Sequence, residues 1–160
     1  MFIGGKRKLL YDQFISKFIP DDIKVYVEPF GGSFAVSKYL KNIPKLLVYN
    51  DMNYYPDENI IADKIHHTDY KEIIKRYDSK DTVIYIDPPY FKKEFLYEGC
   101  ERYGEEFHIT LKWFFMSIKG KAIMSYENHP FILELYSDFD IHKYEGERKN
   151  FRNEIIITNF

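Results

Sequence analysis

The 160-residue sequence contains one cysteine, no long apolar run and no surplus of positive charge. Because Cys100 stands alone, an intrachain disulfide and a cysteine-rich zinc site are both excluded. No apolar stretch approaches membrane-spanning length and no hydrophobic signal segment precedes Lys6, so we expect an intracellular, cytoplasmic protein with no membrane partner. The net charge of −2 indicates that any contact with nucleic acid depends on local patches.

Hydrophobic residues make up 45% of the chain, which is enough for a sizeable core. A chain of this length is typical of one domain, so we expect a single domain over residues 1–160. The adjacent residues His66 and His67 diverge on a regular strand and lack partners at ligand spacing, so no metal site is expected.

The most informative stretch covers residues 82–90, where β-branched and aromatic residues end in Asp87-Pro88-Pro89-Tyr90. Val83, Ile84 and Ile86 favour a buried strand, and the two prolines end its pairing. Ligands of open α/β sheets bind where the strands end. The corner therefore presents carbonyl oxygens and the Asp87 carboxylate to a group that donates hydrogen bonds.

Two further strands end in an acid. The strand over residues 24–28 ends at Glu28 and is followed by Phe30, Gly31 and Gly32, while the strand over residues 46–50 is followed by Asp51. Glycines allow a close approach of ligand to backbone, and an acid after the second strand is placed to bind ribose hydroxyls. The full dinucleotide fingerprint G-x-G-x-x-G is absent, which disfavours a dehydrogenase.

Hydrophobic spacing and turn residues predict the other elements. Helices are expected over residues 9–18, 34–40, 70–77, 107–118 and 129–136, and strands over 60–61, 121–125, 139–144 and 154–159. Residues 91–104 are predicted to form a mobile loop over the site, and Trp113 is expected to be mostly buried. A cationic cluster of Arg148, Lys149 and Arg152 either contacts phosphate or forms a solvated hairpin loop.

Four motifs occur in the order seen in one known family. They are Gly4-Gly5-Lys6, Glu28-Pro29-Phe30-Gly31-Gly32, Asn50-Asp51 and Asp87-Pro88-Pro89-Tyr90. Over nearly its whole length the chain resembles Dam-type, alpha-group adenine-specific DNA methyltransferases. The resemblance implies the α/β, Rossmann-like fold of S-adenosylmethionine-dependent methyltransferases, with a mainly parallel seven-stranded sheet and a terminal antiparallel hairpin.

The resemblance also implies roles for individual residues. Catalytic roles fall on the tetrad, where Asp87 and the Pro88 carbonyl hold the exocyclic amine of a flipped-out adenine beside Pro89, and Tyr90 stacks on its ring. The cofactor implied is S-adenosyl-L-methionine. Its expected contacts are Phe2, Lys6, Glu28, Phe30, Gly31, Gly32, Asp51 and Asp87.

Two departures from the family pattern shape the functional expectation. Phe34 stands where the family usually has another glycine, which would narrow the cofactor pocket. Positions 52–86 leave little room for the family's target-recognition domain. We therefore expect adenine methylation of DNA with low intrinsic sequence specificity, or with specificity supplied by a partner or a homodimer. An RNA or other adenine-containing acceptor, or a non-catalytic partner subunit, remain the alternatives.

Overall fold

The computed structural model describes residues 8–53, 60–101, 103–146, 151 and 153–160. Its α-helices are α1 (Lys8–Gln13), α2 (Tyr70–Tyr77), α3 (Glu105–Ser117) and α4 (Pro130–Leu135). Its strands are β1 (Val25–Glu28), β2 (Leu46–Asn50), β3 (Lys64–His66), β4 (Thr82–Ile86), β5 (Lys121–Glu127), β6 (Asp140–Lys143) and β7 (Glu154–Thr158).

The strands form one seven-stranded sheet in the order β3-β2-β1-β4-β5-β7-β6. The first five strands of that order pair in parallel, whereas β7 is antiparallel to both β5 and β6. The predicted fold, a mainly parallel sheet with a terminal antiparallel hairpin, is thus confirmed. The hairpin inserts β7 between β5 and β6, so β6 is the edge strand.

The path of the chain creates a crevice next to β1. The chain runs outward from β1 to β2 and β3, and then returns to place β4 on the other side of β1. Ligands of open parallel sheets bind at such a reversal, outside the carboxyl ends of the strands. Glu28 ends β1 and Asp87 follows β4, so two of the predicted site acids flank the reversal.

Both faces of the sheet are covered by apolar side chains. One core cluster lies between the sheet and helices α2, α3 and α4, where side chains of the three helices pack on Ile84 and Ile86 of β4. These side chains include Ile73, Leu111, Phe115 and Ile132. The opposite cluster contains residues of α1 and the chain after it, packed on Tyr26 and Tyr85. Central parallel strands need this double cover, which explains why every residue of β4 is buried.

The prediction of a helix over residues 34–40 is wrong. Only a 3-10 helix, Ser37–Tyr39, forms there. Phe34 adopts φ of +54°, a left-handed conformation that an α-helix cannot contain, so the segment leaves the glycine turn as a series of turns. The helix predicted over residues 9–18 is likewise divided into α1 and a 3-10 helix, Ile15–Lys17.

The third strand also differs from its prediction. It lies at Lys64–His66 instead of residues 60–61, and it pairs in parallel with Val48–Asn50 of β2. An edge strand is covered less than a central one, so Lys64 and Ile65 are exposed and the apolar signal that marks a buried strand is missing. Helix α2 begins directly after the predicted N-cap residue, Asp69. The Asp69 side chain accepts a hydrogen bond from the Lys71 amide at 2.8 Å.

Helix α3 forms as predicted but presents a different face to the core. Phe115 is fully buried, whereas Trp113 is 64% exposed, so the expectation that Trp113 is mostly buried is wrong. The helix turns about 100° per residue, and neighbouring positions therefore cannot all face inward. Among the described residues, no helix is long and apolar enough to cross a membrane.

Candidate active site

Three acidic side chains lie at the carboxyl ends of neighbouring strands of the sheet. In the parallel register Val27 lies beside both Val48 of β2 and Ile84 of β4. Glu28 is the last residue of β1, and Asp51 and Asp87 directly follow β2 and β4. The structure therefore brings the three predicted acids to adjoining strand ends.

The glycine turn after β1 is held against the end of β2. The Gly31 amide donates to the Asn50 carbonyl at 2.7 Å, and the Gly32 amide donates to Asp51 Oδ2 at 2.9 Å. A Cβ atom on Gly31 would overlap the Tyr49 ring, whereas one on Gly32 would meet no atom of the described residues within 4 Å. Gly31 thus allows the close approach of the two strands, and Gly32, with φ of +48°, takes the left-handed conformation that glycine adopts without strain.

Asp51 is fixed by backbone amides on both of its oxygens. Besides the Gly32 bond to Oδ2, the Asn53 amide donates to Oδ1 at 3.0 Å. Burial raises the pKa of Asp51, while these two hydrogen bonds act in the opposite direction. The carboxylate is partly exposed and oriented, and each oxygen keeps a second lone pair for a ligand.

Glu28 is more deeply buried, at 3% exposure. The Tyr26 hydroxyl at 3.0 Å and the Ser37 amide at 2.9 Å both donate to its Oε1. Burial, helped by the nearby charge of Asp87, raises the pKa of Glu28 from 4.5 to about 8, while these two hydrogen bonds act in the opposite direction. The carboxyl group is therefore largely protonated at neutral pH in the free protein.

Asp87 is held by a chain of two hydroxyl groups. Ser125 of β5 donates to Asp87 Oδ1 at 2.9 Å, and Tyr85 of β4 donates to Ser125 Oγ at 3.0 Å. Tyr85 and Ser125 are each 1% exposed, while Asp87 is partly exposed at the strand end. The acid thus faces the crevice with its orientation set from the interior.

The remainder of the tetrad forms a rigid corner beside Asp87. Pro88 and Pro89 are buried. The Tyr90 hydroxyl donates to Glu154 Oε2 at 3.0 Å, and the Tyr90 ring packs on Tyr126 with centroids 5.7 Å apart. Burial, together with the charges of Asp87 and Glu154, raises the pKa of Tyr90 well above its ordinary value, so this side chain acts as a neutral ring.

A buried polar cluster anchors the chain that follows the tetrad. His108 of α3 contacts the Tyr126 hydroxyl through Nδ1 at 2.5 Å and Glu94 Oε1 through Nε2 at 2.9 Å. Glu94 lies in a 3-10 helix, Glu94–Leu96, within the segment predicted as a mobile loop. This cluster connects residues 94–96 to α3 and to the Tyr126 ring beneath Tyr90.

A family model for D12 class N6 adenine-specific DNA methyltransferases matches residues 2–56 and 55–150. The chain belongs to this family. The resemblance inferred from the four ordered motifs is thereby confirmed, because the matched ranges contain all of them.

Two curated relatives are type II DNA methyltransferases by name. The type II methyltransferase M1.LlaDCHI of Lactococcus lactis subsp. cremoris is 30% identical over 146 residues, which is 82% of this chain and 50% of the relative. The type II methyltransferase M.CviBI of Paramecium bursaria Chlorella virus NC1A is 32% identical over 88 residues, which is 54% of this chain and 34% of the relative. The chain therefore spans about half the length of the first relative and about a third of the length of the second.

Two solved structures share the fold. SMU.776, a putative methyltransferase complexed with SAH, superposes with a TM-score of 0.53 at 13% identity, covering 84% of this chain and 44% of that one. The putative methyltransferase yhhF from Escherichia coli gives 0.52 at 10% identity, covering 99% and 89%. At these identities the likeness shows only that this chain has a methyltransferase fold.

Not every predicted site residue lies at the strand ends that carry Glu28, Asp51 and Asp87. Phe30 packs its ring on Tyr70 at 4.9 Å and on Phe107 at 6.3 Å, within the core cluster of α2 and α3. Phe34 packs its fully buried ring against Tyr49 at 5.2 Å. Its expected effect on the cofactor pocket stays a prediction.

Five predicted contacts lie outside the described residues. They are the expected cofactor contacts Phe2 and Lys6 and the expected nucleic-acid contacts Arg148, Lys149 and Arg152. The side chains of the adjacent histidines His66 and His67 point to different partners. His66 contacts the Tyr77 hydroxyl, and His67 contacts the Asp51 carbonyl. No metal-ligand cluster of three or more side chains occurs in the described part of the chain.

Sequence reasoning missed the supports of the three acids. A tyrosine stands two positions before each acid, as Tyr26, Tyr49 and Tyr85, and all three are essentially fully buried. Tyr26 binds Glu28 directly, Tyr49 donates to the Gly32 carbonyl at 3.0 Å, and Tyr85 acts through Ser125. The threefold pattern tyrosine-x-acid was a readable signal, because side chains two apart share a face of a strand.

Proposed function

We propose that this chain is an S-adenosylmethionine-dependent methyltransferase domain that modifies the exocyclic amine of adenine in DNA. The observation that carries the proposal is the position of the tetrad: Asp87 and Tyr90 follow β4 at the sheet reversal, beside Glu28 and the turn bound to Asp51. Membership of the D12 family supports the choice of adenine and DNA.

The residues at this edge fit the cofactor. No atom of the described residues lies within 4 Å of a Cβ placed on Gly32, and a backbone without a side chain there permits close ligand approach. The oriented carboxylate of Asp51 suits the two ribose hydroxyls. Glu28, together with the turn at Phe30 and Gly31, suits the methionine part, whose ammonium group is cationic.

The N-terminal residues Phe2 and Lys6 are proposed as further cofactor contacts by the family pattern. The Lys6 ammonium would pair with the carboxylate of the methionine part. Because binding a cation at Glu28 favours its ionised form, we expect Glu28 to release its proton when the cofactor binds.

The cofactor, when bound, would supply a methyl group on a positively charged sulfur, so that the adenine nitrogen could bond to the methyl carbon while the carbon–sulfur bond breaks and its electron pair stays on sulfur. Asp87 and the Pro88 carbonyl accept hydrogen bonds from the adenine amine and so direct its lone pair. Asp87 is the first acceptor for the proton that the amine loses. Tyr90 supplies a neutral ring for stacking on the extruded base, and Pro89 stiffens the corner.

Asp87→Ala tests the assignment. We expect transfer of a labelled methyl group to DNA to fall on the order of 10²-fold or more, because the acceptor for the amine is lost. Asp140→Ala, which removes an exposed acid from edge strand β6, is the control and should keep wild-type activity. Full activity in Asp87→Ala would refute the assignment, and no methylation of any nucleic acid by the wild type would favour a non-catalytic subunit.

We further propose that this domain has low intrinsic sequence specificity, or receives it from a partner protein or a second copy. Positions 52–86 contain β3, α2 and β4, and residues 54–59 are not among the described residues. This interval leaves no room for a folded recognition domain. The cationic residues Arg148, Lys149 and Arg152 are proposed as DNA contacts.

Sequencing of methylated adenines in treated DNA tests this point. We expect modification in many sequence contexts by the protein alone, and a narrowed context after a specificity partner is added. A single long recognition sequence read by the protein alone would contradict the proposal. Parallel reactions with duplex DNA, single-stranded DNA and RNA decide the acceptor, and a preference for RNA would favour the alternative.

A further inference from the structure

A directed chain of hydrogen bonds leads from the core to the tetrad. The Tyr85 hydroxyl has one proton and donates it to Ser125 Oγ at 3.0 Å. Ser125 in turn donates its only proton to Asp87 Oδ1 at 2.9 Å. With the phenol as donor behind it, the serine is left to act as a donor toward the carboxylate.

The fold imposes this arrangement. β4 and β5 are parallel, and their register pairs Tyr85 with Ile123 and Ile86 with Met124, so the next position brings Asp87 beside Ser125. Tyr85 and Asp87 are two residues apart and therefore share a face of the strand. Both hydroxyl groups are buried in a sheet centre that is covered on both faces, so water does not compete for them.

A hydrogen bond to one oxygen restricts the rotation of the whole carboxylate. The bond at Oδ1 therefore limits the positions that Asp87 Oδ2 can take. An acceptor that must direct the lone pair of an amine loses much of its effect when it rotates, because small errors in alignment slow transfer strongly. A donor to an ionised oxygen is also among the stronger hydrogen bonds of proteins.

We propose that Ser125 is a positioning residue for methyl transfer, and that the hydrogen bond from Tyr85 orients the Ser125 hydroxyl so that it donates to Asp87. The inference rests on the proposed function of the tetrad. Ser125 does not touch the adenine or the cofactor in this scheme. It acts through Asp87, and it also lies within hydrogen-bonding reach of the Tyr90 hydroxyl.

The primary test is a comparison of Ser125→Ala with Tyr85→Phe. For Ser125→Ala we expect kcat to fall about 10- to 100-fold, which corresponds to the loss of a hydrogen bond to a charged group. The KM for DNA and the affinity for S-adenosylhomocysteine should remain within about twofold, since Ser125 contacts neither of them and Asp87 keeps its carboxylate. Tyr85→Phe should lower kcat by a smaller factor, because Ser125 keeps its own proton.

Two further variants separate positioning from general damage to the core. Tyr136→Phe removes a phenol hydroxyl at equal depth that has no hydrogen-bond partner among the described residues, and it should keep wild-type kcat. Ser125→Thr retains the hydroxyl group and should recover more of kcat than Ser125→Ala. If Ser125→Ala does not fold, Tyr85→Phe against Tyr136→Phe carries the test, because both conserve the ring.

The outcomes are distinguishable from a failure of the proposed function. Full activity of Asp87→Ala overturns the function itself. An inactive Asp87→Ala together with a wild-type kcat in Ser125→Ala and Tyr85→Phe overturns only the positioning role. A rise in KM or a loss of S-adenosylhomocysteine binding in Ser125→Ala, with kcat unchanged, likewise overturns it, because it assigns Ser125 to binding.

Discussion

Replacing Glu28 with glutamine should remove a loss of folding stability that wild type suffers as the pH rises. Burial raises the pKa of Glu28 to about 8, whereas the unfolded chain exposes the group with its ordinary value of 4.5. Between these two pH values the folded protein holds a proton that the unfolded chain has lost. The stabilising contribution of the protonated acid is therefore complete below pH 4.5 and is lost as the pH rises through about 8.

The size of the effect follows from the same two values. Each pH unit between them changes the free energy of unfolding by about 1.4 kcal/mol, so the total reaches at most about 5 kcal/mol. That is comparable to the whole stability of many small domains. Glutamine has nearly the same shape, its amide oxygen can accept from Tyr26 and Ser37, and it does not ionise.

Urea unfolding from pH 5 to pH 9 measures the difference. We expect the stability of Glu28→Gln relative to wild type to rise steadily with pH and to level off above about pH 8. The same change at the exposed Glu134 reports the effect of removing a surface carboxylate. A stability difference that stays flat across the range would falsify the reasoning about burial, and one that falls with pH would show that Glu28 is stabilised in its ionised form.

Two other changes test the turn between β1 and β2. Gly31→Ala should destabilise the fold by about 1–3 kcal/mol in urea unfolding, because the new Cβ overlaps the Tyr49 ring. Gly104→Ala, where no atom of the described residues lies within 4 Å, should cost less, and equal costs would contradict the packing argument. Asp51→Asn should weaken binding of S-adenosylhomocysteine about tenfold or more in calorimetry, since one acceptor for the Gly32 and Asn53 amides becomes a donor. Unchanged affinity would remove Asp51 from the cofactor site.

The ends of the strands could be predicted because their signals are local. The prolines at 88 and 89 stop pairing wherever the strand lies, and the glycine turn after Glu28 permits a sharp bend in any context. The capped helix α2 follows the same logic, since the Asp69 cap acts on the amide of Lys71 two positions on. Each of these features depends on neighbours in the chain.

The predictions that failed depended on distant neighbours. Phe34 takes a left-handed backbone conformation with its ring buried against Tyr49, and no local propensity of phenylalanine indicates this. The strand Lys64–His66 exists because β2 offers it an edge to pair with. The exposure of Trp113 follows from which side of α3 meets the sheet.

The sequence by itself determined the order of the elements, the three acids at strand ends and the proline corner, because β-branched runs, glycines and prolines restrict the backbone over a few residues. Only the tertiary structure decided what supports those acids. Ser125 and Tyr85 are 40 positions apart, and Ser125 and Asp87 are 38 apart. A hydrogen bond of 2.9 Å between them requires the parallel register of β4 and β5, which only pairing across the whole sheet can establish.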